Sequence, residues 1–226
     1  MPCGSIVDTV AFNRRLPLIV SFDAEGTLAT HDFSIAVWQE VVPALYAESR
    51  GMEVKEAKKA VFAEYMRVGM QRKEWFDIDY WFERFGLGPS APIIEAHRHR
   101  VEFYPEVVPV LERLRAECRL VVASSTPYEF LEPLLRDVAG YFTRMFSATS
   151  EFGAVKDPSF FRWMCDELGV EPYNVIHVGD SWKKDYLGAL EAGMASHYLD
   201  RSDLASAHLH DLNGLVAALG DAAGPS

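Results

Sequence analysis

The chain has 226 residues, 49% of them hydrophobic and 24% charged, with a formal net charge of −11. At roughly 150 residues per domain this allows one domain with a large insertion or two small ones, each with a core of its own, and excludes disorder, collagen-like repeats and coiled coil as the main state. The acidic balance disfavours nucleic acid as a partner, and no run approaches the ~18 apolar residues of a membrane span.

Residues 1–15 carry little pattern and lack the apolar segment of a signal peptide. Residues 16–22 are a short apolar run suited to a buried strand of a parallel sheet, and it stops at the polar turn Asp23-Ala24-Glu25-Gly26-Thr27. Residues 33–104 differ in character. Helical spacing marks 34–47, with Pro43 inside it as a kink or a new start, then 54–68, 77–85 and 92–104. No strand pattern is read there, so a small helical domain is expected.

From Pro105 the pattern alternates. Helices are expected over 105–118, 127–138, 158–168, 185–192 and 212–219, and strands over 120–123, 144–148, 175–178 and 196–199. Strand–helix alternation calls for right-handed βαβ units and a parallel sheet. The expected fold is therefore α/β, a Rossmann-like sheet sandwiched by helices. Residues 1–32 and 105–226 form its core and 33–104 an inserted all-α domain.

Polar residues follow the strands, and in an open α/β sheet that edge binds ligands. Singly, each has a plain structural reading. Asp23 and Asp180 suit turns, Asp185 a helix N-terminus, Ser124 a strand end and Lys156 a solvated loop. Jointly they say more. Two carboxylates at one sheet edge repel, and a divalent cation between them removes that cost. Hard oxygen ligands without His or Cys favour Mg²⁺. A carboxylate there can act as a nucleophile and carry a phosphoryl group. Ser and Lys can hold phosphoryl oxygens, and Glu25 can protonate a leaving group and then activate water.

The order of these groups resembles the haloacid dehalogenase superfamily of hydrolases. Asp23-Ala24-Glu25-Gly26-Thr27 is similar to its first motif, Val121-Val122-Ala123-Ser124 to its second, Lys156-Asp157-Pro158 to its third, and Gly179-Asp180 through Asp185 to its fourth. The resemblance covers residues 16–200 and implies an α-helical cap over 33–104. It implies Asp23 as nucleophile and metal ligand, Asp180 and the backbone carbonyl of Glu25 as further ligands, and Ser124 and Lys156 as phosphoryl contacts. Asp185, Gly26, Thr27 and Ser125 are supporting residues. Phosphatases of the superfamily usually have Asp where this chain has Glu25. The dehalogenase branch usually has an aromatic residue there and the phosphonate-cleaving branch a small one. The resemblance thus implies a Mg²⁺-dependent phosphomonoester hydrolase acting on a small soluble metabolite.

Competing readings are a phosphotransferase or mutase, a metal-independent 2-haloacid dehalogenase, a phosphorylatable signalling module, and a non-catalytic phosphate-ligand binder. Gln71, Arg72 and Lys73 are candidate substrate contacts, since an acidic protein needs donors for an anion. Trp75, Phe76, Tyr80, Trp81, Phe82 and Phe85 are read as packing inside the helical part, some of them lining a substrate pocket. His177 is read as a structural histidine, and the His97/His99 and His208/His210 pairs as unsuited to a metal, because positions i and i+2 of a helix do not share a face. Cys3, Cys118 and Cys165 have no CxxC spacing, so neither a disulfide framework nor a zinc site is expected. A cytoplasmic monomer or homodimer is the expected form.

Overall fold

Apolar runs bounded by turns become the strands β1 (Ile19–Phe22), β2 (Arg119–Ser124), β3 (Arg144–Ser147), β4 (Val175–Gly179) and β5 (Ala195–Tyr198). In this computed structural model, which describes residues 19–202 and 208–222, they form one parallel sheet in the order β3-β2-β1-β4-β5. The expected leader and residues 16–18 of the first strand lie outside the described residues. A parallel sheet covered on both faces needs strands that are apolar on both sides. Val20, Phe22, Val122 and Val178 accordingly pack on one face, and Ile19, Val121, Ala123 and Val175 on the other. The polar exceptions in the sheet centre, Ser21 and His177, meet each other, with Nδ1 of His177 3.0 Å from Ser21 Oγ.

Strand order reverses at β1. The chain lays β2 and β3 on one side of it and β4 and β5 on the other, so the crevice beyond the carboxyl ends of β1 and β4 is a topological switch point. Phe22 pairs with both Val122 and Val178, which sets Asp23 beside the ends of β2 and β4.

Between β1 and β2 the chain is mainly helical: α1 (Asp32–Ile35), α2 (Val42–Arg50), α3 (Val54–Val68), α4 (Ile78–Phe85) and α5 (Ala91–His97), followed by α6 (Val107–Leu114). The helix expected over 34–47 runs longer and is not uniform. A π-helical stretch, Ala36–Val41, joins α1 to α2, and Pro43 falls in the first turn of α2. The widened turns precede the one residue that cannot donate to the i−4 carbonyl. The helix expected over 92–104 is shorter than read. It ends at His97, passes through a 3₁₀ turn at Arg98–Arg100, and becomes extended. Tyr104 precedes Pro105, a position that disfavours helical backbone. The extended segment pairs antiparallel with the chain leaving β1 through an Ala29–Phe103 bridge. Thr30 N–H donates to Glu102 O at 2.8 Å and Tyr104 N–H to Leu28 O at 3.2 Å. Both ends of the helical insert are thereby tied together.

The remaining helices are α7 (Tyr128–Leu135), α8 (Pro158–Leu168), α9 (Gly188–Ala192) and α10 (Leu212–Ala222). Asp157 caps α8, its carboxylate accepting from Phe160 N–H at 2.9 Å. The expected helix 185–192 begins earlier, as a π-helical stretch Trp182–Leu187 before α9. Helices α8 and α9 cover one face of the sheet. On the other face α6, α7 and α10 share a continuous core with Phe33, Val61, Tyr65, Trp81 and Phe82 of the insert, and Phe33 stacks on Phe130 at 4.6 Å. No helix among the described residues is long and apolar enough to cross a membrane. Cys118 and Cys165 are free thiols.

Candidate active site

Asp23 follows β1 directly and its N–H donates to Val178 O at 2.9 Å, extending the ladder by one residue. Its side chain is therefore held at the switch point and is 8% exposed. Lys156 arrives from the loop before α8 and is also buried. Its Nζ donates to Asp23 Oδ1 at 2.5 Å and to Ala123 O at 3.1 Å, and it pairs with Asp185. Its own N–H donates to Ser125 Oγ at 3.1 Å. Ser124 closes β2, and its Oγ accepts from Thr126 N–H at 3.2 Å.

Asp185 is held from three further directions. Ser181 N–H donates to Oδ2 at 2.8 Å, Nε2 of His177 stands 3.1 Å from Oδ1, and the carboxylate crowds Gly179, where an added Cβ would lie 2.3 Å from Asp185 Cγ. Burial pushes the His177 pKa below its usual value, so the ring is neutral. A carboxylate can only accept, so Nε2 carries the proton and Nδ1 accepts from Ser21. Histidine 177 is thus a structural link between the sheet centre and Asp185.

Charge is unevenly shared. Burial pushes the Asp23 carboxyl up, Lys156 pulls it back only in part, and Asp185 and Asp180 add to the rise. Burial works against the Lys156 cation, but Asp185 and Asp23 outweigh it and hold the lysine above its ordinary value. Burial also raises Asp185, yet Lys156 and His177 bring it below the usual carboxylate range. Burial raises Glu25, opposed by Ser34 and His31, and its Oε1 is enclosed with no hydrogen-bond partner. Lys156 thus serves two carboxyl groups, Asp23 and Asp185.

Oxygens of Asp23, Asp180 and Asp185 all lie within 4.8 Å of one another. Asp185 is committed to Lys156, Ser181 and His177, whereas Asp180 faces His31 at 3.6 Å. Gly26, in the left-handed region at φ 77°, makes room for Asp180. A Cβ there would lie 2.0 Å from its Oδ2. This donor set, all oxygen and short of positive charge, fits a hard divalent cation such as Mg²⁺.

The other candidates divide. Thr27 is buried with its hydroxyl unpartnered. Arg72 is turned onto Glu74, at 2.8 and 3.1 Å. Gln71 and Lys73 line a polar cleft with Lys156, Lys183 and Lys184. His97 and His99 each rest on a carbonyl of their own turn. Sequence reasoning missed Arg201, which holds the Gly26 and Thr27 carbonyls at 3.1 and 2.9 Å and pairs with Glu106. No motif marks it. A cavity of about 320 Å³ beside Glu25 was also missed, apart from Trp75 and Phe76, which the aromatic cluster contained. Trp38, Tyr65, Thr126 and Phe130 join them in its wall, and only the helical spacing of their segments hinted that they would face inward.

Comparison with known proteins bears on the family and the fold. Residues 18–193 match the model of the haloacid dehalogenase-like hydrolases. The GMP/IMP nucleotidase YrfG of Escherichia coli is 25% identical over 165 residues, 72% of this chain and 73% of that protein. The glyceraldehyde 3-phosphate phosphatase of Methanopyrus kandleri is 28% identical over 161 residues, 65% of this chain and 68% of that one. The crystal structure of a HAD phosphatase from Thermococcus onnurineus superimposes with a TM-score of 0.80 at 27% identity, covering 90% of this chain and 98% of its own.

Proposed function

We propose, for a chain that belongs to the haloacid dehalogenase-like hydrolases and is a phosphatase of that family, that it hydrolyses a small phosphomonoester with Mg²⁺ as cofactor and Asp23 as the group that carries the phosphoryl. The observation that carries this reading is the buried Asp23 paired with Lys156 beside Asp180. Asp23, Asp180 and the backbone carbonyl of Glu25 would hold the cation, which would supply positive charge to offset the carboxylates and the substrate phosphate.

In the first step an Asp23 carboxylate oxygen attacks phosphorus and the bond from phosphorus to the leaving oxygen breaks. Glu25, whose pKa burial raises, acts as the general acid and gives its proton to that oxygen. Lys156 and the Ser124 hydroxyl hold phosphoryl oxygens through the transfer, and Asp185 keeps Lys156 in place. In the second step the Glu25 carboxylate takes a proton from water, the water oxygen attacks phosphorus, and Asp23 is released with inorganic phosphate. Residues 33–104 act as a cap over a core built from the chain on either side, excluding bulk water. Glutamate in the acid/base position reaches one methylene further than aspartate, and its enclosed, unpartnered Oε1 supports the proton-transfer role.

Hydrolysis of 4-nitrophenyl phosphate tests this. Activity that needs Mg²⁺, is lost on chelation and vanishes with Asp23→Asn is the expected result. Hydrolysis that survives Asp23→Asn would overturn it.

A further inference from the structure

The cavity beside Glu25 and the cleft beyond Lys156 differ in chemistry, and the difference bears on the substrate. The cavity is walled by Trp38, Tyr65, Trp75, Phe76 and Phe130 of the insert and α7, with Ser34, Gln39 and Thr126 as its few polar neighbours besides Glu25. No lysine or arginine lines it. The lysines lie elsewhere: Lys73, Lys156, Lys183 and Lys184 line a separate cleft, together with Asp157 and Glu191. Phe76 lines the cavity, and Lys184 Nζ lies 4.3 Å from its ring centroid.

Glu25 lies at the meeting point of the cavity and the sheet edge. An acid that protonates a leaving oxygen must sit beside the leaving group, so the aromatic cavity is where that group goes. We infer that the substrate's leaving group is uncharged and presents a planar aromatic face, and that phosphomonoesters bearing a second anionic group on the leaving side are discriminated against. This rests on the hydrolase reading given above. Aromatic walls favour stacked or edge-on rings. A carboxylate or second phosphate in the cavity would lose water and find no lysine or arginine among the residues that line it. At about 320 Å³ the space lies at the small end of ligand sites. The side chains of Phe62 and Met66 in its lining are themselves partly exposed, as expected of a mouth that admits an apolar group.

The test compares benzyl phosphate, glycerol 1-phosphate and 2-phosphoglycolate. All three release alcohols, so leaving-group acidity does not decide the outcome. With the native chain and Mg²⁺, kcat/KM for benzyl phosphate is expected to exceed that for either of the others by at least about tenfold. Met66→Lys, a change at an exposed site that puts a cation at the cavity mouth, is expected to narrow the gap to 2-phosphoglycolate. In parallel, binding of the same three esters to Asp23→Asn is measured by calorimetry, with benzyl phosphate expected to bind tightest. Turnover of 2-phosphoglycolate equal to or above that of benzyl phosphate would overturn the inference and leave the hydrolase reading standing. Preferential binding of benzyl phosphate without turnover by the native chain would support the cavity assignment and overturn the hydrolase reading. Neither preference nor turnover would overturn both.

Discussion

The two halves of the candidate site are built in opposite ways. At the sheet edge, Asp23, Lys156 and Asp185 are buried titratable groups joined by short contacts. In the cavity, aromatic rings from several helices meet around a space that is almost without ions. A phosphoryl group is the same in every phosphomonoester, so its half can be rigid and charged. The rest of the substrate varies, and a wall assembled from separated helix positions can change without disturbing the edge.

Changes at the edge should therefore be severe, and the largest effect is expected from Asp23→Asn. Loss of the attacking oxygen should lower kcat by at least ~10³-fold, measured with any ester the native chain accepts. Removing the cation comes next. Lys156→Met leaves Asp23 and Asp185 buried without their partner, and should cost about 3–5 kcal/mol in urea unfolding as well as activity. Gly179→Ala sharpens the point without altering charge. The added Cβ meets Asp185 Cγ at 2.3 Å, and the overpacking should cost about 1–3 kcal/mol while shifting the carboxylate that holds Lys156. The smallest effect is expected where α7 meets the insert through exposed ions. Arg136 and Glu95 pair at 2.8 Å with both side chains about half exposed, and Arg136→Ala should leave the urea-unfolding midpoint almost unchanged. A large loss there would mean that ion pairs, rather than the shared apolar core around Phe33 and Phe130, hold the insert in place.

The same contrast explains what could be read in the sequence. Asp23, Ser124, Asp180 and the parallel sheet were legible because apolar strands end at polar residues, and the switch point follows from strand order. Lys156 was legible as a residue, but its burial between two carboxylates was not, since nothing local distinguishes it from a solvated lysine. The π-helical stretches before Pro43 and Gly188 were hidden because spacing over one turn does not separate them from α-helix. The Ala29–Phe103 pairing joins segments far apart in the chain, as does the clamp of Arg201 on Gly26 and Thr27. Cavity walls carry no motif at all. Trp38, Tyr65 and Phe130 look like ordinary core positions until the insert is folded against α7.

The central claim is that Asp23 receives the phosphoryl group. Its most direct test is acid quenching of the native protein during turnover of benzyl phosphate, followed by mass spectrometry of the peptide that contains Asp23. The account predicts one phosphoryl group on that residue during turnover, lost once substrate is exhausted and absent from Asp23→Asn. A phosphoryl group found on another residue, with Asp23 unmodified while hydrolysis proceeds, would contradict it.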